Sequence, residues 1–207
     1  DQNRNMTSKT DPDGSTTSYG YDASGNMTTT TDALGQTTSY SYNAFGQVTS
    51  VTDPQGNTTT STYDSKGNLI SSTDPTGATT KYEYDSKGNV TSVTNAAGQT
   101  TTYAYDQQNN LVSITDPTGA TTKFSYDANG NITSQTDANG NTTTYVYDSQ
   151  NHLVSVTDPA GNTTTYTYDK NGNRTSQTDA NGNTAKYEYN YNGQLIKVTD
   201  ALGNVTT

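Results

Sequence analysis

The feature that most constrains this chain is an internal repeat of 21 residues that continues in unbroken phase. Each repeat carries the pattern Asp-x-x-Gly, with Asn95 in place of the Asp in one copy. A second pattern, Tyr-Asp-x-x-Gly, lies between these marks, as in segment 63–67. A unit this short cannot bury a core alone, so the period predicts an array in which neighbouring repeats stabilise one another.

Both patterns have the composition of tight turns. An Asp at the first position accepts a hydrogen bond from the backbone two residues on, and a Gly at the fourth position adopts a left-handed conformation. Asn109 and Asn151 replace this Gly in two copies, and Asn is a common non-glycine residue at positive φ. The turn positions that we assign a structural role are Asp53, Gly56, Asp64, Gly67, Asp74, Gly77, Asp116, Gly119, Asp158 and Gly161.

The segments between turns are short and rich in Thr, Tyr, Val, Ile and Leu, which favour strands. Residues 57–63 and 68–73 are predicted as two successive strands. The predicted fold is all-β, an antiparallel β-hairpin meander of 21-residue repeats. Sheet twist is expected to coil this meander into a β-spiral or hollow tube, since a flat ribbon would leave one face of apolar side chains exposed to solvent. Residues 1–207 are predicted to be one array of about ten repeats that starts and stops within a repeat.

The Tyr-Asp turn suggests a register for the strands that it joins. A three-residue loop places Tyr63 opposite Leu69 and, in an uninterrupted ladder, Ser61 opposite Ser71. Because a repeat of 21 residues is odd, the two turns must differ in loop length, or each repeat must carry a bulge. Both solutions remain open at this point.

This register gathers tyrosines on one face of the sheet. Tyr82 and Tyr84 share that face with Val90, whereas Val93 is placed on the opposite face. Cross-strand aromatic–aliphatic pairs contribute roughly 0.2–1 kcal/mol each. Repeated along the array, they could order a chain that is only 27% apolar, with a mean hydropathy of -0.96. The predicted structural ladder consists of Tyr21, Tyr42, Tyr63, Tyr84, Tyr105, Tyr126, Tyr147, Tyr168 and Tyr189.

Charge and composition exclude several functional classes. The net charge of -10 repels nucleic acid and anionic lipid, so neither is expected as a partner. No apolar run approaches the roughly 18 residues of a membrane helix, so insertion into a membrane is not expected. His152 is the only His and is predicted to be a solvated residue beside a turn. The many Ser and Thr residues lack an accompanying general base. We therefore assign no catalytic, cofactor-binding or metal-binding residue. Ca²⁺ is a weak candidate for binding at the turn aspartates. It needs roughly six to eight oxygen ligands, which one Asp-x-x-Gly turn hardly supplies.

Segment 63–69, Tyr-Asp-Ser-Lys-Gly-Asn-Leu, together with the following Thr-Asp-Pro-x-Gly, resembles the YD-repeat (Rhs-repeat) family. The resemblance covers the whole chain and implies β-hairpin repeats that spiral into a shell. Members include bacterial polymorphic toxins, toxin-complex shell proteins, wall-associated proteins and teneurins. Toxin members enclose a C-terminal effector and carry a self-cleavage motif. Asp-Pro-x-Gly at 53–56 and 74–77 is only the repeat turn without the flanking signature, so no catalytic residue is carried over.

The expected function is that of a non-catalytic scaffold, a segment of an extracellular YD-repeat β-spiral. It would form a shell, stalk or filament on a bacterial surface, with neighbouring repeats or subunits as partners and no cofactor. One alternative is the encapsulating shell of a secreted polymorphic toxin, with an enclosed effector as partner. Another is a surface adhesin that binds glycans through exposed Tyr. All three readings place the protein outside the cell or at its surface.

Overall fold

A computed structural model describes residues 1–207 and shows twenty β-strands. A six-residue strand that ends at the Tyr of Tyr-Asp alternates with a five-residue strand that begins at the aliphatic position. No part of the chain is a helix that could cross a membrane. The strands are β1 (Ser8–Thr10), β2 (Thr16–Tyr21), β3 (Met27–Thr31), β4 (Thr37–Tyr42), β5 (Val48–Thr52), β6 (Thr58–Tyr63), β7 (Leu69–Thr73), β8 (Thr79–Tyr84), β9 (Val90–Thr94), β10 (Thr100–Tyr105), β11 (Leu111–Thr115), β12 (Thr121–Tyr126), β13 (Ile132–Thr136), β14 (Thr142–Tyr147), β15 (Leu153–Thr157), β16 (Thr163–Tyr168), β17 (Arg174–Thr178), β18 (Thr184–Tyr189), β19 (Leu195–Thr199) and β20 (Val205–Thr206).

The chain divides into two compact units, Asp1–Thr102 and Tyr103–Thr207. In the first unit, β1 to β9 and residues 100–102 of β10 pair antiparallel in chain order. In the second unit, β11 to β20 pair in the same way. The predicted antiparallel hairpin meander with a 21-residue period is confirmed.

The two turns of a repeat close with the same backbone geometry. In the Thr-Asp turn, the Asp53 N–H donates to the Asn57 carbonyl (2.9 Å) and the Gly56 N–H donates to the Asp53 carbonyl (3.0 Å). In the Tyr-Asp turn, the Asp64 N–H likewise donates to the Asn68 carbonyl (2.9 Å). The odd repeat length is therefore not accommodated by loops of different length.

A β-bulge in the Tyr-Asp hairpin accommodates the odd length instead. Tyr63 pairs with Leu69, as predicted, but its neighbour Thr62 pairs with Ser71. Ile70 is therefore an extra residue without a partner across the ladder. The same shift occurs in the corresponding hairpins, including those of β8–β9 and β16–β17.

The bulge corrects two sequence-based expectations. Ser61 pairs with Ser72 and not with Ser71, because the extra residue shifts the ladder by one position. Val93 pairs directly with Tyr82 and so lies on the tyrosine-bearing face, not on the opposite one. The same correction applies to the equivalent aliphatic positions Val51, Val156 and Val198, which pair with Tyr40, Tyr145 and Tyr187.

The face that bears the tyrosines, here called the Tyr face, is half-buried. Along β8 the side chains alternate, with Tyr82 and Tyr84 half-buried and Lys81 and Glu83 exposed. No hydrophobic residue is buried, and Ser92, at 8% exposure, is the only buried polar one. Order therefore depends on hydrogen bonds and cross-strand pairs more than on an enclosed core.

Candidate functional site

The aspartate of each turn is engaged by the turn that it begins. Oδ1 of Asp64 accepts the N–H groups of Lys66 (2.8 Å) and Asn68 (2.9 Å), and Oδ2 accepts the Asn68 side-chain amide (2.9 Å). The Asn68 side-chain hydrogen bond, followed by its backbone N–H, holds the pKa of Asp64 below its ordinary value. This carboxylate stabilises backbone that would otherwise lack partners.

The remaining turn residues singled out from the sequence occupy equivalent positions. Asp74 lacks the Asn and instead accepts a hydrogen bond from the Thr76 hydroxyl (2.6 Å), which is the main cause of its lowered pKa. The structure places Asp53, Asp116 and Asp158 at the first position of their turns, and Gly56, Gly67, Gly77, Gly119 and Gly161 at the fourth with φ of 86–92°. Asn109 and Asn151 adopt φ of 69° and 67° in place of Gly.

Where the first turn residue is Asn, the residue four positions later is Gln. Oδ1 of Asn43 accepts the backbone N–H of Gln47 (3.1 Å), and its amide donates to Gln47 Oε1 (3.0 Å). The amide of Asn190 donates to Gln194 in the same manner (2.8 Å). The longer Gln side chain turns its acceptor toward an amide, whereas Asn offers its donor to a carboxylate. The turn is thus closed with or without a charge.

In seven copies, the Tyr that ends the longer strand links two neighbouring repeats. The Tyr84 hydroxyl donates to the Leu69 carbonyl (2.8 Å), at the end of the hairpin where the β7–β8 ladder has stopped at Ser71 and Lys81. Burial raises the pKa of Tyr84. This bond, which spans fifteen residues of sequence, recurs for Tyr21, Tyr42, Tyr63, Tyr84, Tyr126, Tyr168 and Tyr189. Tyr105 and Tyr147 end their strands at the same position of the repeat.

His152 takes the place of the turn Asn and adds a contact between repeats. Its Nδ1 lies 3.0 Å from Asp148 Oδ2, and its ring stacks on Tyr168 with centroids 4.7 Å apart. A Cβ at Gly172 would lie 3.0 Å from His152 Nε2, so the Gly leaves room for the ring. The side chain lies beside a turn, as expected, but it is partly and not fully solvated, because stacking leaves 30% of it exposed.

Arg174 has a defined environment that the sequence did not indicate. Its guanidinium carbon lies 4.7 Å from the ring centroid of Tyr187 and 5.7 Å from that of Tyr166. Both contacts are within the range of cation–π attraction. The available signal was that a charged residue stands at a position of the repeat that is otherwise aliphatic.

Comparison with known proteins gives a family and a fold. The RHS Repeat family matches residues 1–37, 28–59, 63–100, 84–122, 126–162 and 147–184, well over half of the 207 residues. No curated protein matches the sequence.

Two crystal structures share the fold. A complex of TcdB2-TccC3-Cdc42 has a TM-score of 0.64 and 17% identity over 89% of this chain and 14% of that chain. A TcdB2-TccC3 structure has a TM-score of 0.63 and 18% identity over the same shares, 89% and 14%. This chain therefore spans about a seventh of the solved chains that it resembles. Since the family match extends over most of the repeats and the hairpin geometry accounts for its signature residues, the chain belongs to the RHS repeat family.

Proposed function

We propose that this chain is a non-catalytic structural scaffold, a segment of an extracellular β-spiral in which each repeat holds the next in place. The observation that carries this proposal is the recurring hydrogen bond from a Tyr hydroxyl to a carbonyl of the preceding repeat, as from Tyr84 to Leu69. The carboxylates and hydroxyls that could act in catalysis in other proteins here close turns, as at Asp64, or join repeats, as at Tyr84.

The turn aspartates argue in the same direction. A catalytic acid or base needs a pKa near the operating pH, which usually requires desolvation. Asp64 and Asp158 instead have pKa values lowered by the hydrogen bonds of their own turns. Their carboxylates are stable anions whose hydrogen bonds order the backbone.

A second candidate is the encapsulating shell of a secreted toxin. It is favoured by the shared fold with the TcdB2-TccC3 structures, of which this chain covers 14%. An unbroken 21-residue period favours the open form, a stalk or filament on a cell surface, since identical repeats generate a uniform superhelix. Negative-stain images of the native assembly distinguish the two, because a shell gives closed particles of fixed size.

The scaffold itself is tested with shortened chains that lack whole 21-residue repeats. If stability comes from contacts between neighbours, the free energy of unfolding in urea decreases with every repeat removed. Equal stability for long and short chains would contradict the proposal, because each repeat would then be stable alone. A hydrolase or transferase activity that survives in the shortened chains would also contradict it.

A further inference from the structure

Nine turns follow the longer strands, and two of them depart from the repeat in two ways at once. Their first residue is an uncharged Asn, Asn43 or Asn190, where the other seven turns have Asp. The same two turns carry an aromatic side chain at the tip, Phe45 or Tyr191, where the others have Ala, Ser, Lys, Gln or Asn. These rings are 82% and 94% exposed. The loss of a charge therefore coincides with the gain of an exposed aromatic ring.

The change from Asp to Asn does not alter how the turn is closed. Asn43 Oδ1 accepts the N–H groups of Phe45 (2.9 Å) and Gln47 (3.1 Å). Asn190 makes the equivalent two bonds, both of 3.0 Å. A carboxylate in this place, as at Asp64, binds the same N–H groups. Because either residue forms the turn, the missing charge matters for what approaches the turn from outside.

Phe45 forms one wall of an open groove between two neighbouring turns, here called the Phe45 groove. The Gln47 side-chain amide donates to the Gly67 carbonyl (2.8 Å) and so joins the neutral turn to the next one. Ser65, Lys66 and Gly67 line the other sides of the groove. An aromatic wall beside a hydroxyl and a cation suits a tyrosine, whose ring packs on another ring or on a cation and whose hydroxyl takes a polar partner.

The charges indicate what kind of partner approaches these turns. The chain has 20 acidic and 10 basic residues. A basic partner would be attracted by a turn Asp, so replacing the Asp would weaken its binding. An acidic partner would be repelled by the Asp, and an Asn relieves that repulsion. A second copy of this chain is such an acidic partner, and it brings the exposed Tyr191 that the Phe45 groove suits.

We propose that the Tyr191 turn of one copy docks into the Phe45 groove of a second copy, so that the two uncharged turns meet. The contact is heterologous, which leaves a free groove on one copy and a free Tyr191 on the other, and further copies can add. This inference rests on the proposed open scaffold and names the contact that would lengthen it. One turn in one groove buries less than the roughly 1,200 Å² of a stable interface, so association is weak and depends on concentration.

Sedimentation velocity of the full chain, at concentrations up to about 1 mM, tests the docking. We expect the wild type to form larger species as its concentration rises. Phe45→Ser copies the tip of turn 22–25, and Tyr191→Ala copies the Ala of turn 127–130. Each variant alone should associate at least tenfold more weakly. An equimolar mixture of the two should regain dimers and nothing larger, because the intact Tyr191 of one variant and the intact groove of the other complete a single contact.

Leu202→Asn provides the matched control. Leu202 is 89% exposed at a turn of the other type, and Asn gives this turn the sequence of residues 137–140. Association should be unchanged in this variant. The double variant Asn190→Asp, Gln194→Asn restores the common charged turn and keeps Tyr191. It should associate more weakly than the wild type at low salt, and the difference should disappear at high salt.

The docking is overturned if the wild type stays monomeric at every concentration, or if association survives Tyr191→Ala. Equal weakening by Leu202→Asn, a mixture that regains no dimers, or a charged variant that associates like the wild type at low salt would also overturn it. The scaffold proposal is decided separately by the urea unfolding of shortened chains. A monomeric chain whose stability falls with every repeat removed would overturn the docking alone.

Discussion

At the residue scale, the tyrosine hydroxyl explains why Phe is not equivalent to Tyr at the end of the longer strand. The Tyr84 hydroxyl satisfies the Leu69 carbonyl where the backbone ladder no longer reaches. Phe124, by contrast, occupies a position two residues before such a Tyr, where the ring pairs across the sheet with Gln135. The two aromatic positions of a repeat therefore have different roles, one linking repeats and the other covering the sheet.

Tyr84→Phe should lower the free energy of unfolding by about 0.5–1.5 kcal/mol, since a net hydrogen bond is lost and a carbonyl is left to water. Urea unfolding followed by circular dichroism measures the difference. Tyr82→Phe is the control, because its ring lies on the same face without this bond. Equal losses for the two variants would show that the hydroxyl bond contributes nothing.

Acid stability also belongs to single residues. The pKa of Asp64 is lowered in the folded state by its hydrogen bonds with Asn68. The contribution of this carboxylate to the free energy of unfolding is therefore present above the unfolded pKa of about 3.9, and it is lost as pH falls through the folded pKa. The double variant Asp64→Asn, Asn68→Gln copies the uncharged turn of Asn43 and Gln47. We expect its urea midpoint to decrease less between pH 5 and pH 3 than that of the wild type. Identical pH profiles would refute the assignment.

At the scale of the element, the sequence was sufficient for strands and turns but not for the register of the whole hairpin. Asp, Gly and their spacing identify both turns, and the strand ends 58–63 and 69–73 lie within one residue of the prediction. The bulge could not be located, because a longer loop and an extra strand residue satisfy an odd repeat equally well. The misplacement of Val93 followed directly from this ambiguity.

The candidate sites were predictable to a similar extent. The turn aspartates and the row of tyrosines recur along the array, so their positions could be predicted from the sequence. Arg174 and His152 occur once, and their environment depends on rings from neighbouring strands, at Tyr187 and Tyr168. Only the three-dimensional register brings these side chains together.

The bulge leads to a prediction about deletions. Removing Ile70 leaves Tyr63 opposite Leu69 and Thr62 opposite Ser71, so the side-chain alternation is retained. Removing Ser72 with the bulge in place instead turns Thr73, the last residue of β7, to the opposite face, so that the following turn no longer meets β8 in register. The Ile70 deletion should therefore remain folded with a modest loss of stability, and the Ser72 deletion should lose most of the sheet signal. Far-ultraviolet circular dichroism and urea midpoints compare them. Equal damage from both deletions would mean that the bulge itself is required.

At the scale of the whole molecule, the structure is ordered without a buried hydrophobic core. A globular domain of this length would enclose aliphatic side chains between two layers of secondary structure. Here the repeated hydrogen bonds of turns and tyrosines accompany a half-buried apolar face. Stability of this kind depends more on the number of repeats than on the volume of any interior.

The absence of a buried apolar core predicts an unusually small heat-capacity change on unfolding. Exposure of apolar surface dominates this quantity, which is about 12–15 cal/mol/K per residue in globular proteins. Because no hydrophobic residue is buried in this chain, its value per residue should fall clearly below that range. Scanning calorimetry, repeated at two protein concentrations, measures it. A value within the globular range at both concentrations would show that the Tyr face is covered in solution, as it would be if copies of the chain packed against each other.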